Sequence, residues 1–119
     1  MPEDAPSILL VDDEDGSRYA RTKALEKAGF AVTAERNYEN ASRLLQSDKR
    51  IDLLLTDVVM PDHLHGFALA RMARQRRRDV KVVYITGYDV PTTDTVGRVL
   101  RKPISEEALV DEIRHALAD

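Results

Sequence analysis

The chain has 119 residues, 43% of them hydrophobic, which suffices for one compact domain and leaves little room for a second. Its formal net charge of −3 gives no general attraction to nucleic acid or to an anionic membrane, and no apolar stretch approaches the roughly 18 residues that cross a bilayer. The absence of cysteine excludes disulfides and thiolate metal sites, and with the acidic, proline-containing amino terminus it favours a cytoplasmic protein.

Short apolar runs rich in β-branched residues alternate along the chain with longer segments of helical period. This alternation is typical of a parallel sheet whose strands are joined by crossover helices. The predicted strands are 8–11, 31–34, 51–56, 80–86 and a weaker 99–101. Because the runs show little alternation of apolar and polar residues, we expect helices to cover both faces of the sheet.

Four helices are predicted between and after these strands. The first spans 15–28 and is closed by Gly29, which can adopt the left-handed conformation found at many helix ends. Asn37 and Ser105 offer side-chain oxygens that can cap the second and the last helix. The third helix begins near Gly66.

The segment between the fourth and fifth predicted strands, 87–97, differs from the other connections. It holds Pro91 and shows no apolar helical stripe. We therefore expect a loop or a distorted turn here, so that the fourth crossover helix is short or absent. Residues 1–6 are expected to form a mobile arm, and 7–119 a single folded domain.

Polar side chains cluster at the predicted ends of four strands. Asp12 and Asp13 directly follow the first strand, Asp57 ends the third, Thr86 closes the fourth and Lys102 follows the fifth. In an open α/β sheet, ligands bind at the carboxyl ends of the strands. These five side chains are therefore expected to meet at one rim of the sheet.

Three neighbouring carboxylates repel one another unless a cation neutralises them, and carboxylate oxygens are the ligands that Mg²⁺ prefers. A carboxylate beside such a cation can attack phosphorus, and a lysine and a hydroxyl nearby can neutralise the transferred oxygens. The pattern therefore predicts a divalent metal site and phosphoryl transfer to Asp57. Taken one at a time, the same residues also fit helix caps, loop entries or a buried strand threonine.

Four motifs in order carry a family resemblance: Ile-Leu-Leu-Val-Asp-Asp-Glu at 8–14, Leu-Leu-Thr-Asp-Val-Val-Met-Pro at 54–61, Ile-Thr-Gly at 85–87 and Lys-Pro at 102–103. Through these motifs the chain resembles the CheY-like receiver domains of response regulators, from residue 8 to its end. Its short 87–97 segment is similar to that of single-domain regulators resembling CpdR and of terminal receivers of hybrid histidine kinases. The resemblance implies a doubly wound, five-stranded α/β fold of flavodoxin-like type with strand order 2-1-3-4-5.

The resemblance also implies roles for the residues at the rim. Asp57 would accept a phosphoryl group from a sensor histidine kinase or a histidine phosphotransferase. Asp13, Asp57 and the backbone carbonyl of Val59 would ligate Mg²⁺ or Mn²⁺, with Asp12 acting through bound water. Thr86 would move toward the phosphoryl group, and Lys102 would form an ion pair with it.

Further positions follow from the same resemblance. Gly87 would leave room for the phosphoryl group, and the peptide bond before Pro103 would be cis. Val99 stands where receivers usually carry a switch aromatic, so we expect phosphorylation to be read out differently from the family's usual coupling of a threonine and an aromatic residue. Tyr88 is a candidate substitute, and a surface tyrosine is the equal alternative. The output would be contact with an unknown protein target, without turnover of a separate substrate.

Three alternatives are kept beside this interpretation. A pseudo-receiver that acts without phosphorylation would ordinarily have lost an acidic residue or the lysine, and none is lost here. A haloacid-dehalogenase-like phosphatase would need an Asp-x-Asp at the acceptor, which the sequence does not supply. Five arginines near the end of the third helix could contact nucleic acid, but we interpret them as a solvated helix end: Arg71, Arg74, Arg76, Arg77 and Arg78.

Overall fold

The computed structural model describes residues 4–58, 65–87 and 97–118. The strands are β1 (Ser7–Val11), β2 (Ala31–Glu35), β3 (Leu53–Asp57), β4 (Lys81–Thr86) and β5 (Arg98–Arg101), and the helices are α1 (Asp15–Lys27), α2 (Tyr38–Leu45), α3 (His65–Arg76) and α4 (Glu106–Ala118). All strand pairs are parallel, in the order β2-β1-β3-β4-β5. The predicted topology is confirmed. The segment 88–96, where a short or absent helix was predicted, lies outside the described residues.

Alternate residues of β1, β3, β4 and β5 enter two separate cores, one on each face of the sheet. Leu9 and Leu54 join the core beneath α2 and α3, whereas Leu10 and Leu55 join the core beneath α1 and α4. This division follows from the two-residue period of a strand. The prediction of helix layers on both faces is confirmed for β1, β3 and β4. The edge strands differ, because β2 is half-buried throughout and β5 exposes both of its terminal arginines.

The predicted helix ends have the expected local causes. Gly29 adopts a φ of 101° after α1, in the left-handed region that favours glycine. The Asn37 side chain accepts a hydrogen bond from the Asn40 amide at 2.8 Å, which caps α2. The Ser105 hydroxyl accepts from the Ala108 amide at 3.0 Å and caps α4. None of the helices within the described ranges is both long enough and apolar enough to cross a membrane.

The third strand begins later than the sequence indicated. It starts at Leu53, although Ile51 is also buried, with 6% of its surface exposed. The Asp52 backbone amide donates to the Ser7 carbonyl at 2.8 Å and its carbonyl accepts from the Lys81 amide at 3.0 Å, while its carboxylate accepts the Ser7 amide at 2.8 Å. A buried apolar residue therefore does not by itself mark the start of pairing.

One arginine of the α3 cluster is not simply solvated. The Arg77 guanidinium donates to the carbonyls of Leu45, Leu44 and Ser47 at 3.1, 3.2 and 2.7 Å. These carbonyls lie at the end of α2, where helical partners run out. Arg77 thus ties α3 to the end of α2, which weakens the case for the cluster as a nucleic-acid surface.

Candidate functional site

The carboxyl ends of β1 and β3 bring three aspartates together. Asp12 and Asp57 are buried, with 1% and 3% of their surfaces exposed, and Asp13 is the most exposed of the three. One carboxylate oxygen from each lies within 4.8 Å of the others. The two strands are direct neighbours in the sheet, which places their ends side by side. The structure therefore assembles the acidic cluster that the strand ends predicted.

Lys102 reaches the same cluster from the end of β5. Its Nζ lies 3.0 Å from Oδ1 of Asp57, and its backbone amide donates to the Thr86 carbonyl at 2.8 Å. Thr86 is buried at the end of β4. The peptide bond between Lys102 and Pro103 is cis, as the resemblance implied. All five predicted rim residues thus lie at one end of the sheet.

The environment of Asp57 disfavours its charged form. Burial, followed by the neighbouring Asp12 carboxylate, raises the pKa of Asp57 to about 7, and Lys102 only partly opposes this shift. A carboxylate in this state carries a negative charge that the protein alone does not compensate. A cation placed among the three aspartates would remove that deficit.

Substituting Asp57→Asn is expected to stabilise the metal-free protein at pH 8 by on the order of 4 kcal/mol. The folded pKa lies above that of an unfolded aspartate, so the wild-type protein loses stability as pH rises from about 4 through about 7. The asparagine variant lacks this titration. Urea unfolding at pH 5 and pH 8 with a chelator measures the difference, and the exposed Asp111→Asn serves as control. If the free energy of unfolding of wild type and of Asp57→Asn depended equally on pH, the raised pKa of Asp57 would be contradicted.

Asp12 is held by partners that sequence reasoning did not identify. Its Oδ2 accepts the Ser17 hydroxyl and the Arg21 guanidinium, each at 2.6 Å, and its Oδ1 accepts the Glu14 amide at 2.9 Å. Burial alone would raise the pKa of Asp12, but these hydrogen bonds and the Arg21 charge hold it below its usual value. A signal was present, because Ser17 and Arg21 are spaced i, i+4 on the helix that follows the aspartates.

The remaining predicted positions are placed only in part. Val59 and Tyr88 lie outside the described residues. Val99 pairs with Tyr84 in the β4–β5 register and packs beside the core that contains the buried Tyr84 ring. A Cβ added to Gly87 would lie 3.9 Å from the Lys102 Cβ, an ordinary contact, so protein packing does not itself require glycine there.

The donor set fits a small divalent cation. Asp12, Asp13 and Asp57 supply hard carboxylate oxygens, which Mg²⁺ and Mn²⁺ prefer over nitrogen or sulfur. The side-chain Oδ1 of Asp57 is fully buried and receives no hydrogen bond with good geometry, although Lys102 lies 3.0 Å away. A carboxylate oxygen with spare acceptor capacity beside two further carboxylates is suited to a metal.

Comparisons with known proteins agree on one group. The sequence pattern of the response regulator receiver domain matches residues 8–114. The chain is 40% identical over 116 residues to the response regulator receiver protein CpdR of Brucella abortus, covering 92% of this chain and 95% of CpdR. It is 29% identical to the sensor kinase CckA of the same organism, of which it spans 12%. A crystal structure of a response regulator receiver protein from Sinorhizobium medicae superimposes with a TM-score of 0.88 at 29% identity, over 98% of each chain.

Proposed function

Because this chain belongs to the response regulator receiver family of two-component systems, we propose that it accepts a phosphoryl group on Asp57 and signals through contact with another protein. We further propose that residues 7–119 form the single receiver domain that carries this function. The observation that supports the proposal most is the ion pair of Lys102 with a buried Asp57 that lies beside two more aspartates.

The proposed reaction is a displacement at phosphorus. A carboxylate oxygen of Asp57 attacks the phosphoryl group as the bond from phosphorus to the donor breaks, and the donor departs with that electron pair. The donor would be a phosphohistidine of a sensor kinase or a histidine phosphotransferase in a phosphorelay. Since the reaction only moves the phosphoryl group onto the protein itself, no separate substrate is turned over.

Three residues would prepare Asp57 for this reaction. Lys102 holds a positive charge 3.0 Å from Oδ1 and would neutralise a phosphoryl oxygen as charge shifts toward it. Thr86, buried at the end of β4, would donate its hydroxyl to a second oxygen. Gly87 would leave open the space in which the phosphoryl group is accommodated.

The proposed metal ligands are the carboxylates of Asp13 and Asp57 and the backbone carbonyl of Val59, with Asp12 acting through bound water. When bound, Mg²⁺ or Mn²⁺ would supply positive charge to the carboxylates and to the oxygens of the incoming phosphoryl group. The protein's own contribution is to hold the carboxylates of Asp12, Asp13 and Asp57 together at the ends of β1 and β3.

The proposed function predicts that phosphorylation depends on a divalent metal. Incubation with acetyl phosphate and Mg²⁺ should add one phosphoryl group to the intact protein, as measured by mass spectrometry. Addition of a chelator before the donor should prevent the gain, because the unneutralised carboxylates repel the anionic donor. No gain in the presence of Mg²⁺ would reject the proposal and leave the phosphorylation-independent interaction module.

A further inference from the structure

Arg21 brings a second positive charge into the aspartate cluster. Its guanidinium lies 2.6 Å from Oδ2 of Asp12, and the two side chains are 13% and 1% exposed. The contact is therefore a largely buried ion pair between α1 and the end of β1. Surface ion pairs contribute little to stability, but a pair removed from water in this way acts at a much lower effective dielectric.

The neighbours of this pair fix its geometry. The Ser17 hydroxyl donates to the same Oδ2 at 2.6 Å, and the Glu14 amide donates to Oδ1 at 2.9 Å, so both oxygens of Asp12 are already engaged. The adjacent Arg18 donates to the Asp12 backbone carbonyl at 3.0 Å and pairs with Asp15, away from the carboxylate. Among these residues, Arg21 is the one whose charge bears directly on the acidic side chain.

The cluster contains two ion pairs and a third carboxylate. Lys102 faces Asp57, Arg21 faces Asp12, and Asp13 is the third carboxylate of the group. In the absence of metal, these two cations only partly offset the charge of the three carboxylates. A doubly charged ion entering the cluster is attracted by three carboxylates but is repelled by the positive charge of Arg21.

We propose that Arg21 is a counter-cation built into the magnesium site, a fixed positive charge beside the carboxylates. It positions Asp12 and weakens the binding of Mg²⁺. The proposal rests on the proposed function only in taking Mg²⁺ as the ion. In the metal-free protein, Arg21 holds the Asp12 carboxylate in a fixed orientation. In the metal-bound protein, it lowers the affinity, so that occupancy of the site follows the free Mg²⁺ concentration instead of being saturated throughout.

Calorimetric titration with Mg²⁺ tests this role directly. Arg21→Gln removes the charge and should tighten Mg²⁺ binding on the order of tenfold, because one repulsive unit charge near the ion is lost. Arg21→Lys keeps the charge and should bind within about threefold of wild type. Lys23→Gln removes an equal charge from an exposed position of the same helix and should leave the affinity unchanged. Unchanged or weaker binding by Arg21→Gln would overturn the proposal.

A second comparison covers the case in which Arg21→Gln does not fold. Removing both partners leaves no unpaired buried charge, so Asp12→Asn with Arg21→Gln should fold even where the single variant fails. The double variant should bind Mg²⁺ more tightly than Asp12→Asn alone, since the latter retains the repulsive arginine. Equal or weaker binding by the double variant would contradict a counter-cation role.

These outcomes separate the inference from the proposed function. Tighter Mg²⁺ binding by Arg21→Gln, together with no phosphoryl gain in the wild-type protein, would support the counter-cation and reject the phosphoacceptor. Phosphorylation of the wild-type protein, together with unchanged Mg²⁺ affinity in Arg21→Gln, would support the phosphoacceptor and reject the counter-cation. If Arg21 had only a structural role, the Arg21→Gln variant would have a lower thermal stability than wild type but would not bind Mg²⁺ more tightly.

Discussion

Replacing Lys102 with alanine is expected to slow phosphorylation of Asp57 by about 10²- to 10³-fold, the usual effect of removing one preorganised charge from a reacting oxygen. The ammonium group lies 3.0 Å from Oδ1 of Asp57, whose carboxylate is almost completely buried. The rate is measured by intact mass over time with acetyl phosphate at fixed Mg²⁺.

Two controls show whether the lost charge is responsible. Lys49→Ala removes a lysine from an exposed position, and this variant should be phosphorylated at the wild-type rate. Lys102→Arg retains a cation with different geometry and should fall between wild type and alanine. If Lys102→Ala were phosphorylated as fast as Lys49→Ala, the ion pair in the structure would have no part in the reaction.

Gly66→Ala is expected to destabilise the protein by about 3 kcal/mol, at the upper end of the range for overpacking a close-packed site. Gly66 lies in the first turn of α3, and a Cβ there would collide with the carbonyl oxygen of Asp57 and approach the Val58 Cα to 2.7 Å. Its amide donates to the Val58 carbonyl at 3.1 Å, which fixes the close approach. Urea unfolding measures the loss.

Gly16→Ala is the matched control, because Gly16 is also the second residue of a helix. A Cβ there meets only the Glu14 side chain at 3.9 Å. Alanine is a better helix former than glycine, so stability should rise by up to about 1 kcal/mol. The Gly66→Ala variant should also be phosphorylated more slowly than wild type, because the added Cβ clashes with the backbone of Asp57. Similar unfolding midpoints for the two variants would refute the close approach.

The sequence was sufficient to predict the sheet and much of the acidic cluster. The five apolar runs and the helical segments between them predict five parallel strands, and polar residues that follow parallel strands must meet at one edge. For this reason the sequence alone predicts that Asp12, Asp57 and Lys102 lie together. The cis bond before Pro103 came from the family resemblance and not from the residues themselves.

The parts that the sequence did not predict depend on tertiary contacts. The hydrogen bond from the Ser7 amide to the Asp52 carboxylate, just before β3, joins residues that are 45 positions apart. The role of Arg77 depends on how α2 and α3 pack, since its acceptors lie on another helix. The role of Arg21 depends on how α1 lies against the end of β1, since its guanidinium is directed inward to the Asp12 carboxylate.

The most direct test of the central claim is to identify which residue carries the phosphoryl group after treatment with Mg²⁺ and acetyl phosphate. Borohydride reduces an acyl phosphate to an alcohol and so marks the modified side chain for peptide mass spectrometry. We predict a reduced residue at Asp57, none at Asp12 or Asp13, and no product in Asp57→Asn. A product at Asp12 or Asp13, or an equal yield in Asp57→Asn, would contradict the account.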